Sequence, residues 1–173
     1  MKKILTLFAV VGLFAFTSCE GPEGPEGAPG QNVNKVFEIL NEDFDYNNDD
    51  GYNIYGIFNP LIGDASTILI YRLAGTIDSN TPVWQLIPRT IYLSNNRELD
   101  YDYDFSKEDF KIYVRANYDM ETTAADYLDN QTFRVVIVPG SFTNKSSVKP
   151  DYSDYYEVIK KYNIDDSNVK KIN

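Results

Sequence analysis

The chain has 173 residues, with 26 Asp and Glu against 16 Lys and Arg, no histidine and one cysteine. A formal charge of −10 sets it against nucleic acid, whose binding rests on Lys and Arg contacts to phosphate. The missing histidine removes the commonest general base and transition-metal ligand, so neither a Ser-His-Asp triad nor a zinc-hydrolase site can be assembled.

Lys2 and Lys3 open the chain and an apolar run follows from Ile4 to Phe16. That run falls well short of the ~20 residues a membrane-spanning helix needs. A basic start, a short apolar stretch and then small residues form the pattern of a secretory signal peptide. The run closes on Phe16-Thr17-Ser18-Cys19, which resembles the lipobox of bacterial lipoproteins, with Phe16 standing where that family usually has Leu or another aliphatic residue. The resemblance implies that residues 1–18 are removed and that Cys19 becomes the acylated N-terminus. Two or more acyl chains anchor stably where one does not, so the implied partner of Cys19 is a membrane. The mature chain would carry 26 acids and 14 bases (16 minus Lys2 and Lys3), a charge of −12. Such a surface adds no attraction to anionic lipid. Acylation would also leave no thiol for a nucleophile or a metal site, and a single cysteine forms no intramolecular disulfide.

Residues 20–31 read EGPEGPEGAPGQ, the period-three glycine pattern of collagen over three triplets. Three triplets are too few for a triple helix, so residues 19–31 read as the acylated cysteine followed by an extended spacer. At ~3.1 Å per residue it would hold the domain roughly 35 Å from the bilayer. Signal and spacer together resemble small lipoproteins of Bacteroidota, which carry Gly-Pro-Glu tracts just after the lipid cysteine. That resemblance implies an outer-membrane address, on the cell surface or the periplasmic face, and no mechanism.

Residues 32–173 form one domain of ordinary size. Short runs rich in β-branched and aromatic residues alternate with Asn, Asp, Gly and Pro clusters. Strands are expected near Lys35–Leu40, Tyr52–Phe58, Thr67–Ala74, Val83–Leu93, Arg97–Phe105, Phe110–Tyr118 and Thr132–Val138. Regularly spaced strands without intervening helices predict an all-β fold, a single antiparallel β-sandwich of about seven strands, Ig-like in general architecture. Thr67–Ala74 and Thr132–Val138 are apolar at nearly every position, as in central strands covered on both faces. Pro88 makes Val83–Leu93 an edge strand or two strands meeting at a bulge, and Asn95-Asn96 is a hairpin turn. In Asp154–Tyr162, Tyr155, Val158, Ile159 and Tyr162 make one apolar stripe. A short C-terminal helix capped by Asp154 and Glu157 is expected to cover an end or edge of the sandwich.

Three features bear on function. In DFDYNNDDG (Asp43–Gly51), Asp45, Asn47 and Asp49 alternate like the first ligands of a calcium loop, but Gly51 comes one residue late and Gly56 stands where the closing Glu belongs. A polar turn between strands is the competing reading. In LDYDYDF (Leu99–Phe105), period two puts Asp100, Asp102 and Asp104 on one face, as a cation ladder or as a charged face that resists aggregation. Trp84 heads the aromatic set (14 Tyr, 10 Phe, one Trp) as a ligand-stacking candidate, most of the others being assigned to packing.

There is no GxGxxG and no catalytic constellation. The expected function is a lipid-anchored, non-enzymatic interaction or structural module with an unknown protein or glycan partner and no cofactor. An accessory domain binding glycan or calcium is the alternative, and a carboxylate-dependent glycoside hydrolase is more remote.

Overall fold

The computed structural model describes residues 35–78, 80–140 and 150–172. The signal peptide, the acylation expected at Cys19 and the Gly-Pro-Glu spacer lie outside the described residues.

The described residues form two five-stranded sheets and one α-helix. The first sheet has the order β10-β1-β9-β4-β5, built from Lys170–Ile172, Val36–Glu42, Gln131–Val138, Thr67–Ile77 and Thr81–Ile87. The second has the order β2-β3-β8-β7-β6, from Asp45–Asn47, Gly51–Ile57, Asp109–Ala116, Glu98–Phe105 and Arg89–Tyr92. Neighbours are antiparallel except β10, which runs parallel to β1. The expected all-β sandwich is thus the fold.

The two near-continuous apolar runs occupy the middle of the first sheet, as anticipated. β9 lies between β1 and β4, and its residues are buried on both faces because both faces are covered. Inward, Phe133, Val135 and Ile137 meet Leu99, Ile112 and Phe110 from the second sheet. Outward, Val136 and Val138 of β9 and Tyr71 of β4 join Tyr155, Val158 and Ile159 of helix α1 (Tyr155–Lys161) in a second apolar layer. Asp154 caps α1 by accepting from the Tyr156 and Glu157 amides. Glu157 itself turns back to accept from the Asp151 amide at 3.3 Å instead of closing the expected capping pair. The helix therefore covers a sheet face, where an end or edge was expected.

Pro88 explains why one long run became two strands. It offers no amide to a ladder, and the chain passes there from β5 at the edge of the first sheet to β6 at the edge of the second. Asn95 and Asn96, at φ 60° and 56°, then reverse the chain from β6 into β7. β2 and β10, of three residues each, escaped the sequence reading because runs so short carry no periodicity.

Candidate functional site

The two sheets differ in what covers them. The outer face of the first is closed by α1 and the tail after it, whereas β3, β8, β7 and β6 present their outward side chains to solvent. Alternation decides which side chains those are. Ile112 and Val114 point into the core, so Lys111, Tyr113 and Arg115 point out. Leu99 and Tyr101 point in, so Glu98, Asp100, Asp102 and Asp104 point out.

Strand register arranges this face into rows. Tyr55 stands beside Lys111, and Lys111 beside Asp104. In the next row Asn53, Tyr113 and Asp102 are neighbours. Arg115, Asp100 and Thr90 make the third row, and Glu98 with Tyr92 the fourth. Tyr55 and Tyr92 are 58% and 77% exposed, too wet for packing to account for them.

The side chains on this face hold one another in place. The Tyr55 hydroxyl donates to Asp109 at 3.0 Å, which raises the phenol above its usual pKa. Hydrogen bonds from Ser106 and Tyr55 hold the Asp109 carboxyl below the usual carboxylate range. Thr90 Oγ1 donates to Asp100 at 2.5 Å, and the Arg115 guanidinium lies 4.7 Å from the centre of the Tyr113 ring. Partial burial, helped by Asp102 and Asp104, keeps the Tyr113 phenol protonated above its usual range. Between β6, β7 and β8 the surface sinks into a groove of about 320 Å³, walled by Pro88, Arg89, Thr90, Asp100, Asp102 and Arg115. An apolar ring edge, neutral hydroxyl donors, carboxylate acceptors and guanidinium donors meet there. Such a set offers hydrogen-bond donors and acceptors together, and its carboxylates stand side by side along one strand face.

Of the residues singled out from sequence, Asp100, Asp102 and Asp104 lie on this face, Asp45, Asn47 and Asp49 lie in the hairpin at its β2 edge, and Trp84 lies away from it. Trp84 of β5 is half-buried on the opposite side of the sandwich, with Arg134 stacked 4.4 Å from its ring and Tyr155 at 6.0 Å. Asp45, Asn47 and Asp49 belong to the β2–β3 hairpin. The Asn47 carboxamide oxygen there accepts from the Asp49 and Asp50 amides at 3.0 and 2.8 Å, the geometry of a polar turn. Among the described residues no group of three or more acids forms a metal cluster. Asp100, Asp102 and Asp104 share one face as expected, interleaved with Lys111 and Arg115 on the next strand. Tyr55, Tyr92 and Tyr113 escaped notice because their significance lies in the register between strands.

Compared with models of protein families, with curated proteins and with solved structures, the chain matches none.

Proposed function

We propose that the protein is a lipid-anchored, extracytoplasmic binding module without catalysis of its own, and that the open face of the second sheet is its contact surface. The observation that carries this reading is the unequal covering of the two sheets. One outer face is sealed by a helix and an apolar layer, while the other carries the exposed rings of Tyr55 and Tyr92 among charged side chains, Tyr55 held by its hydrogen bond to Asp109. The membrane address rests on the Phe16-Thr17-Ser18-Cys19 sequence and the tract that follows it.

A photoreactive residue at Asp104, exposed on that face, and one at Tyr156, exposed on α1, make the test in intact cells. Crosslinks to envelope components from Asp104 and not from Tyr156 support the reading. The reverse pattern overturns it. Cys19→Ser should release the protein from membranes into the soluble fraction; a variant still sedimenting with membranes would remove the anchor.

A further inference from the structure

On the lattice set by the strand register, Tyr55 occupies the first row of β3 and Tyr113 the second row of β8. Asp100 occupies the third row of β7, and Tyr92 the fourth row of β6. Each step moves one strand across and one row along, so the four positions fall on a single diagonal. With strands ~4.8 Å apart and ~6.8 Å between like-facing residues, each step is about 8 Å and the line about 25 Å long. Three tyrosines thus mark the two ends and one interior point, and the groove under Asp100 fills the gap between the second and the third.

We propose that this diagonal binds an extended, uncharged polysaccharide chain, a conclusion that rests on the open face being the contact surface. Three features select that ligand. A line of separated aromatic rings suits a chain of repeating units, each with an apolar ring face to lay on a tyrosine. Two of the three rings are flanked by groups of both hydrogen-bonding senses, while Tyr92 stands beside the Glu98 carboxylate. Asp109 and Lys111 adjoin Tyr55, Asn53, Asp102 and Arg115 adjoin Tyr113, and Thr90 sits with Asp100. Sugar hydroxyls both donate and accept, so they satisfy such a mixed border where a one-signed ligand does not. Charge then excludes the acidic polysaccharides: Glu98, Asp100, Asp102, Asp104 and Asp109 outnumber Lys111 and Arg115 on β7 and β8. An extended peptide is disfavoured on separate grounds. It would bind by main-chain pairing at a sheet edge, and the diagonal crosses the face of four strands already paired to one another.

The test is affinity electrophoresis of the full mature chain, in detergent with its lipid. The gels contain galactomannan, xyloglucan, arabinoxylan or dextran, with polygalacturonate as the acidic comparison. At least one neutral polymer should retard the protein. Tyr113→Ala and Tyr92→Ala should each weaken that retardation roughly tenfold, and Tyr156→Ala on α1 should leave it unchanged. Tyr92 is 77% exposed, so its loss reports binding and not folding. No retardation by any neutral polymer, retardation by polygalacturonate alone, or retardation surviving both substitutions would each overturn the proposal. The two readings fail separately. A blank set of gels with protein crosslinks from Asp104 removes the polysaccharide and keeps the contact face. Crosslinks from Tyr156 alone remove the contact face as well.

Discussion

The Arg134 guanidinium donates to the Glu38 carboxylate at 2.7 Å, across the β1–β9 ladder in the face that α1 covers. Their side chains are only 16% and 10% exposed, so the pair is largely shut off from water. The same guanidinium donates to the Tyr155 hydroxyl at 2.8 Å, which in turn donates to Asp166 at 2.9 Å. One cation thereby ties together two strands, the helix and the tail beyond it.

Glu38→Ala should therefore cost about 3 kcal/mol. Removing one partner of a buried pair leaves the other charge desolvated and poorly matched. Arg134→Met keeps a long apolar stem against Trp84 but leaves the buried Glu38 carboxylate without its cation and takes a donor from Tyr155, so it should cost at least as much as Glu38→Ala. Urea unfolding of the two variants checks the order, and a smaller loss in Arg134→Met would mean that the ion pair is not what holds this face together.

Tyr101 is 1% exposed, and burial pushes its phenol up to about 12 from an ordinary 10.0, against the opposing pull of Arg72. Its folded-state pKa lies above its unfolded one, so its stabilising effect is complete below pH 10 and is lost as pH rises towards 12. The loss from this residue alone should reach about 3 kcal/mol. Tyr71 and Tyr155 are raised in the same direction by burial and deepen the effect. Tyrosinate absorbance followed against pH should show exposed residues ionising first and a cooperative step at unfolding. A single smooth titration near pH 10 would contradict the burial.

Gly56 of β3 faces inward, and a β-carbon there would collide with the Phe110 ring, itself 1% exposed among core side chains. Gly56→Ala should destabilise by about 1–3 kcal/mol, because a packed aromatic has little room to withdraw. Gly51, where a β-carbon meets nothing, differs in kind: its φ of +76° is what a side chain would strain. Thermal melts of the two alanine variants should both fall. Only Gly56→Ala should also alter the near-ultraviolet signal of the aromatic core.

Asp154 accepts from two amides at the start of α1, at 2.9 and 3.1 Å. Asp154→Ala should cost about 1 kcal/mol, and Asp154→Asn much less, since asparagine caps nearly as well. Amide exchange should quicken in α1 first. Uniform quickening across both sheets would show that the helix and the sandwich unfold as one unit.

How much of this was legible in the sequence differed by element, for physical reasons. β4 and β9 were readable because a strand covered on both faces must be apolar throughout. β8 was readable because a strand covered on one face must alternate. The split at Pro88 was half-readable: proline announces a break in the ladder, but only the three-dimensional arrangement shows the two halves entering different sheets. Position was the harder matter. Trp84 drew notice as the sole tryptophan, yet large aromatics are equally useful against a docked helix, and nothing local distinguishes the two settings. The diagonal was hidden for the opposite reason, since Tyr55, Tyr113 and Tyr92 are unremarkable one at a time. The turns at Asn95-Asn96 and Ser106–Glu108 do fix the pairing of Tyr92 with Glu98 and of Tyr113 with Asp102. Turn chemistry followed through to register would have brought two of the three together.

The unequal covering of the two sheets has a consequence for how such a chain can change over time. Replacing Tyr55, Tyr92, Asp100 or Asp104 disturbs little that is buried, so packing puts no brake on that half of the surface, and it can change with whatever it contacts. Replacing Tyr71, Arg134, Tyr155 or Val158 strikes the layer that keeps the helix in place. Related chains should therefore share the sealed side and disagree on the bare one. Their common ancestry would be easiest to trace through the residues that seat the helix on its sheet.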